Sequence, residues 1–163
     1  MSMPKPAARL VVSALSGLVL MGTTGSSCNI PFLGPAIGPS GTVDVELVNT
    51  TAYPVDPGLC VDPEELLLTG SVFRDENLVL VDPAVQPGEI VTLTFDCAEI
   101  GTVGTDFALL LVSPTEAVES DNAPAIRQDS DFVCGDVISF IFIDEVGGEF
   151  FTRVEVNGQF VMD

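Results

Sequence analysis

The chain has 163 residues, with 24 Asp and Glu against five Lys and Arg, no His and a formal charge of −19 at pH 7. Every acid lies at or beyond Asp44, where only Arg74, Arg127 and Arg153 are cationic, so that part sets three cations against 24 acids, a charge of −21. Such a polyanion repels nucleic acid, whose binding draws on Lys and Arg, and the missing imidazole removes Ser-His and Cys-His nucleophile pairs, His-ligated metals and the usual neutral-pH proton shuttle.

Along the chain, Lys5 and Arg9 precede the apolar run Leu10 to Met21, "LVVSALSGLVLM". Twelve residues are too few for a spanning helix, which needs about 20. A basic start, an apolar core of this length and a small-residue end describe a secretory signal peptide. The segment then ends "GTTGSSC" at Cys28. These first 28 residues resemble a bacterial lipoprotein signal, with Ser26 and Ser27 in the two positions before the cysteine and Gly25 where such signals usually carry Leu. The resemblance implies that residues 1–27 are removed and that Cys28 is lipidated, anchoring the protein to a membrane in the cell envelope, periplasmic or cell-surface. Cleavage by ordinary signal peptidase within "TTGSS", giving a secreted protein, is the alternative. Residues 28–41 contain Pro31, Pro35, Pro39, Gly34, Gly38 and Gly41. Prolines remove backbone donors and glycines add freedom, so this stretch reads as a flexible tether with a reach of at most about 45 Å.

From Thr42 the pattern changes to that of strands. Val43, Val45 and Leu47 alternate with Thr42, Asp44 and Glu46, and Val91, Leu93, Phe95 and Cys97 alternate with Thr92, Thr94 and Asp96. Both read as half-buried strands. The runs 66–73 and 78–81, separated by "RDEN", suggest a hairpin, and "DPEELLL" and "SPTE" suggest single capped helical turns or strand connections. "FALLLV" and "VISFIFI" are short and continuously apolar, as expected of central strands covered on both faces. Near the end, Gly147-Gly148 and Asn157-Gly158 separate three β-rich runs, predicting a three-strand meander. Together these signals predict an all-β fold: a single antiparallel β-sandwich of about seven to nine short strands over residues 42–163. Its architecture is Ig-like, although the chain has no Trp for a true immunoglobulin core.

Cys60, Cys97 and Cys134 are spaced 37 residues apart, but the intervening apolar runs fall out of phase, so the spacing does not mark a repeat. Thiols of an exported protein are expected to pair. Cys97 with Cys134 is the favoured pair, since one lies on the inward face of its strand and the other opens a core strand. Lipidation of Cys28 would leave one cysteine single.

The acids of "ESDNAPAIRQDSDFVCGD" supply oxygen ligands at loop ends, and Asp121, Asp129, Asp131 and Asp136, with Glu119 and Asn122 nearby, are the candidate calcium ligands. They do not match the helix-loop-helix calcium loop. No other cofactor is expected. The inventory therefore points away from an enzyme and toward a lipid-anchored acidic envelope protein with a structural or surface-interaction role. An alternative is a secreted or anchored module that binds calcium, carbohydrate or another ligand through its acidic loops.

Overall fold

The computed structural model describes residues 41–145 and 148–162. The expected signal peptide, Cys28 and residues 28–40 of the tether lie outside them. The described chain is mostly strand, with eleven strands and only two short 3₁₀ turns, Thr69–Val72 and Asp75–Asn77. Among these residues no helix is long and apolar enough to cross a membrane.

The largest sheet has five strands: β1 (Thr42–Asn49), β4 (Ile90–Asp96), β9 (Val137–Asp144), β10 (Phe150–Val156) and β11 (Gln159–Met162), in the order β11-β10-β9-β1-β4. β1 shows why the two-residue period matters. Val43, Val45 and Leu47 are fully buried, while Asp44 and Glu46 face outward and accept hydrogen bonds from Thr94 Oγ1 (2.7 Å) and Ser139 Oγ (3.0 Å) on the neighbouring strands. The C-terminal meander forms as its turn residues predict. Asn157 and Gly158 have φ of +51° and +73°, the left-handed pair that matches the twist of a tight hairpin.

Within this sheet two details differ from the sequence expectation. β1 pairs antiparallel with β4 but parallel with β9, matching Val45 to Ile138 and Leu47 to Phe140. That pairing inserts the first strand into the middle of the sheet, which local periodicity has no means of announcing. Secondly, "VISFIFI" is not covered equally on both faces. Ile138, Phe140 and Phe142 are fully buried, but Ser139, Ile141 and Ile143 are only half-buried.

The other strands make two three-stranded antiparallel sheets. One orders β2 (Val55–Asp56), β6 (Leu109–Ser113) and β7 (Glu116–Glu119) as β2-β6-β7, and the other orders β3 (Leu59–Asp62), β5 (Thr102–Thr105) and β8 (Ala125–Arg127) as β3-β5-β8. "SPTE" is the hairpin turn between β6 and β7 rather than a helical turn. Residues 66–81 are not a hairpin: they hold the two 3₁₀ turns, and their one β-bridge to the sheets among the described residues is that of Leu78 to Cys60. Acidic punctuation explains part of this. Asp62, nearly buried, accepts from Glu64 N and Asn77 Nδ2, both at 2.9 Å, pinning the segment at two points.

One core joins all three sheets. Val45, Leu47, Phe140 and Phe142 meet Val55, Leu59, Val103 and Leu110 in it. Removal of a ring such as Phe140 leaves a cavity that typically costs about 3–5 kcal/mol.

Candidate functional site

Strands β2 and β3 run on one line beside β6 and β5, as a single ladder interrupted once. Asp56 pairs with Leu109 and Leu59 with Thr105, so two residues, Pro57 and Gly58, face three, Asp106, Phe107 and Ala108. The extra residue makes a bulge, which breaks the pairing and re-aims side chains. Gly58 closes it. Its φ is +55°, its carbonyl accepts Asp106 N at 2.9 Å, its N–H reaches Asp56 Oδ1 at 3.3 Å, and a Cβ there would strike the Asp106 carbonyl.

The bulge turns Phe107 outward. Its φ of +37° is a left-handed conformation that bulky side chains avoid, and its ring is 48% exposed between a fully buried Thr105 and a fully buried Ala108. Strain of this kind persists where the surroundings impose it, and it concentrates at functional sites. The conformation costs about 1 kcal/mol, and the half-buried ring returns about the same. Phe107→Asn is therefore expected to leave stability within about 0.5 kcal/mol of the parent, measured by urea denaturation. A loss above about 2 kcal/mol would show the ring to be a packing element instead.

The third wall is the extended segment 78–81, held along the outside of β2 and β3. Val79 N donates to Leu59 O at 2.7 Å, and Val55 and Val85 exchange two hydrogen bonds of 2.9 Å. Alternation along this segment sends Val79 and Val81 onto the core and leaves Leu78 and Leu80 54% and 83% exposed. The result is a groove of about 150 Å³, with Leu78, Leu80, Phe107 and Leu109 on its apolar walls and Asp56 and Asp106 beside them. An adjoining depression of about 110 Å³ shares Leu78 and Asp106 and adds Cys60, Phe73, Arg74 and Asp75. The Arg74 guanidinium lies 3.8 Å from the Glu76 carboxylate, both well exposed.

Cys60 is a free thiol and only 1% exposed. Burial, and then the negative charge of Asp106, push its thiol above the ordinary range, against a smaller opposing hydrogen bond from the Arg74 backbone N–H. It is thus a thiol rather than a thiolate at neutral pH, and the thiolate is the nucleophile. The groove thus sets apolar walls beside two carboxylates, and the thiol next to it is not activated.

The chain matches no protein-family model, no curated protein and no solved structure. Fold analogy therefore contributes nothing, and function is read from the site.

The residues expected from sequence are placed as follows. Cys97 and Cys134 form a disulfide, with Cα atoms 5.8 Å apart. Cys28 lies outside the described residues. The acids of the 119–136 stretch are not gathered. Asp131 Oδ2 accepts from Arg127 N (3.0 Å), Asp136 takes hydrogen bonds from Val133 N and Asn157 Nδ2 (both 2.7 Å), Asp129 sits at φ +60° in a turn, and Asp121 N donates to Phe150 O. Asn122 pairs with the Thr152 backbone on both sides. Among the described residues no group of three or more His, Cys, Asp or Glu is placed to hold a metal ion. These polar side chains serve turns and a strand edge. Sequence reasoning missed Asp56, Leu78, Leu80, Asp106 and Phe107. The one legible signal was "LVLV" at 78–81, four apolar residues too short to be a core strand on both faces.

Proposed function

We propose that this chain is a non-enzymatic protein of the bacterial cell envelope: an acidic β-sandwich, Ig-like in architecture only, exported, anchored through lipid on Cys28 and acting by contact with other surface molecules. The observation that carries the contact role is the groove. Three large apolar side chains are left in solvent together, beside two carboxylates, on a bulge closed by an obligatory glycine and a strained Phe107. Exposed apolar groups gathered in this way mark interaction surfaces, whereas scattered ones do not.

The cysteines support the rest of the reading. A disulfide persists in oxidising surroundings, in keeping with export. With Cys97 and Cys134 paired and Cys60 buried, no accessible thiol in the described domain is offered to Cys28. A shared core of three sheets supports the sandwich.

The test is intact mass and membrane fractionation of the native protein beside Cys28→Ala. The expected result is wild type in the membrane fraction, beginning at a Cys28 heavier by its acyl chains, and a variant released from the membrane. Soluble wild type with an unmodified cysteine, or a chain beginning at Ser26 or Ser27, would overturn the anchor.

A further inference from the structure

We infer that the groove at the β5–β6 bulge receives an arginine side chain presented by a partner protein, an inference that rests on the contact role proposed above. Size comes first. Pockets for drug-sized ligands occupy about 300–1,000 Å³, whereas a space of 150 Å³ holds one benzene-sized group. A single side chain fits, and a free cofactor or oligosaccharide does not.

Chemistry narrows the choice. The walls at Leu78, Leu80 and Leu109 are apolar, which suits a methylene stem, while Asp56 and Asp106 provide anionic oxygen. Among the described residues the Asp106 carboxylate has no hydrogen-bond or ion-pair partner, and Asp56 uses only Oδ1, on Gly58 N. Both therefore retain acceptor capacity. Phe107 adds a half-exposed aromatic ring at the same place. An apolar stem ending in a planar cation that pairs with carboxylates and stacks on a ring describes arginine better than lysine, whose compact ammonium is more strongly hydrated. Arg74 lines the adjoining depression, which shares Asp106, and is countered by Glu76. An approaching basic segment is also drawn in by the surrounding negative field, with only three cations in the whole acidic part of the chain.

The experiment is an amide NMR titration of the isotopically labelled exported protein with millimolar N-acetyl-arginine amide. N-acetyl-citrulline amide, of the same shape without the charge, and N-acetyl-norleucine amide, apolar only, are the controls. The expected result is that arginine moves the amides of Asp56, Gly58, Leu78 to Val81 and Asp106 to Leu109, and that citrulline does not. Asp106→Asn is expected to weaken binding about threefold to fivefold, and Phe107→Ala about twofold to fivefold, both with unchanged spectra elsewhere. Equal shifts from citrulline, or shifts scattered over the acidic surface, overturn the inference. If norleucine alone moves the groove amides, the arginine assignment fails while the contact role stands. If none of the three perturbs the groove, the arginine assignment fails and the contact role loses its site.

Discussion

Asn49→Ala is expected to destabilise the domain by about 4 kcal/mol, a large share of the 5–15 kcal/mol that a domain of this size has to lose. Asn49 ends β1 on its inward face, where Val43, Val45 and Leu47 precede it, and it is fully buried. A polar amide in that row is tolerable only because it is saturated. Its Nδ2 donates to Tyr53 O and Val85 O, both at 2.8 Å, and its Oδ1 accepts from Thr51 N (2.9 Å) and Thr51 Oγ1 (2.8 Å). The four bonds fold the 50–54 loop back under β1 and fix Val85, whose own backbone pairs with Val55 at the start of β2. Truncation removes four buried hydrogen bonds, each worth about 0.5–1.5 kcal/mol, and leaves the Thr51 N–H without its acceptor, while Val85 O keeps Val55 N and Tyr53 O keeps Thr51 Oγ1. Urea denaturation should show the midpoint falling by roughly 2 M with an unchanged slope. Asn49→Asp should be nearly as damaging, because a carboxylate oxygen would then face the two carbonyls that now receive N–H groups. A loss below about 1 kcal/mol for Asn49→Ala would mean that water replaces the amide and that the network holds nothing.

Asn49 also shows where sequence stops being informative. The period of β1 makes position 49 inward, and a polar residue there reads as the end of the strand. It is the end, yet the residue stays inside as the organiser of a loop, because its partners lie at 51, 53 and 85. The strands that alternate, β1 and β4, and the Asn157-Gly158 hairpin were legible because each depends on neighbours in sequence. The parallel pairing of β1 with β9 was not, since it joins segments almost a hundred residues apart. The groove was less legible still. Three separate stretches, around 56, 80 and 107, make it, and the left-handed Phe107 carries none of the Gly or Asn chemistry that usually signals positive φ. The acids of 119–136 show a different limit of composition. A dense run of oxygens looks like a cation site, but Asp131 and Asp136 are spent on backbone N–H groups of their own turns.

Loss of the Cys97–Cys134 disulfide is the second change expected to be large. Cys97 follows the edge strand β4, and Cys134 lies just before β9, the strand two places inward, so the bond spans the start of β1 between them. Gly41 sits beneath it. Its carbonyl accepts Cys97 N at 3.0 Å, Thr42 O accepts Gly135 N at 2.9 Å, and a side chain at 41 would approach the Cys97 sulfur and the Cys134 Cβ. The bond thus clamps β4, which has a neighbour on one side only, against the three-strand centre of the sheet. With a sequence separation of 37, closing the loop in the unfolded chain is worth about 4 kcal/mol in the chain-entropy treatment. The double variant Cys97→Ala/Cys134→Ala, or the reduced wild type, should therefore melt on the order of 15 °C lower. Amide exchange should accelerate first in β4, because the five-strand sheet can shed an edge strand more cheaply than a central one. Cys60→Ala is the informative control: its thiol pairs with nothing, so reductant should lower the melting temperature of that variant as much as it lowers that of the parent. A melting temperature indifferent to reductant would show that β1 pairing alone secures the edge.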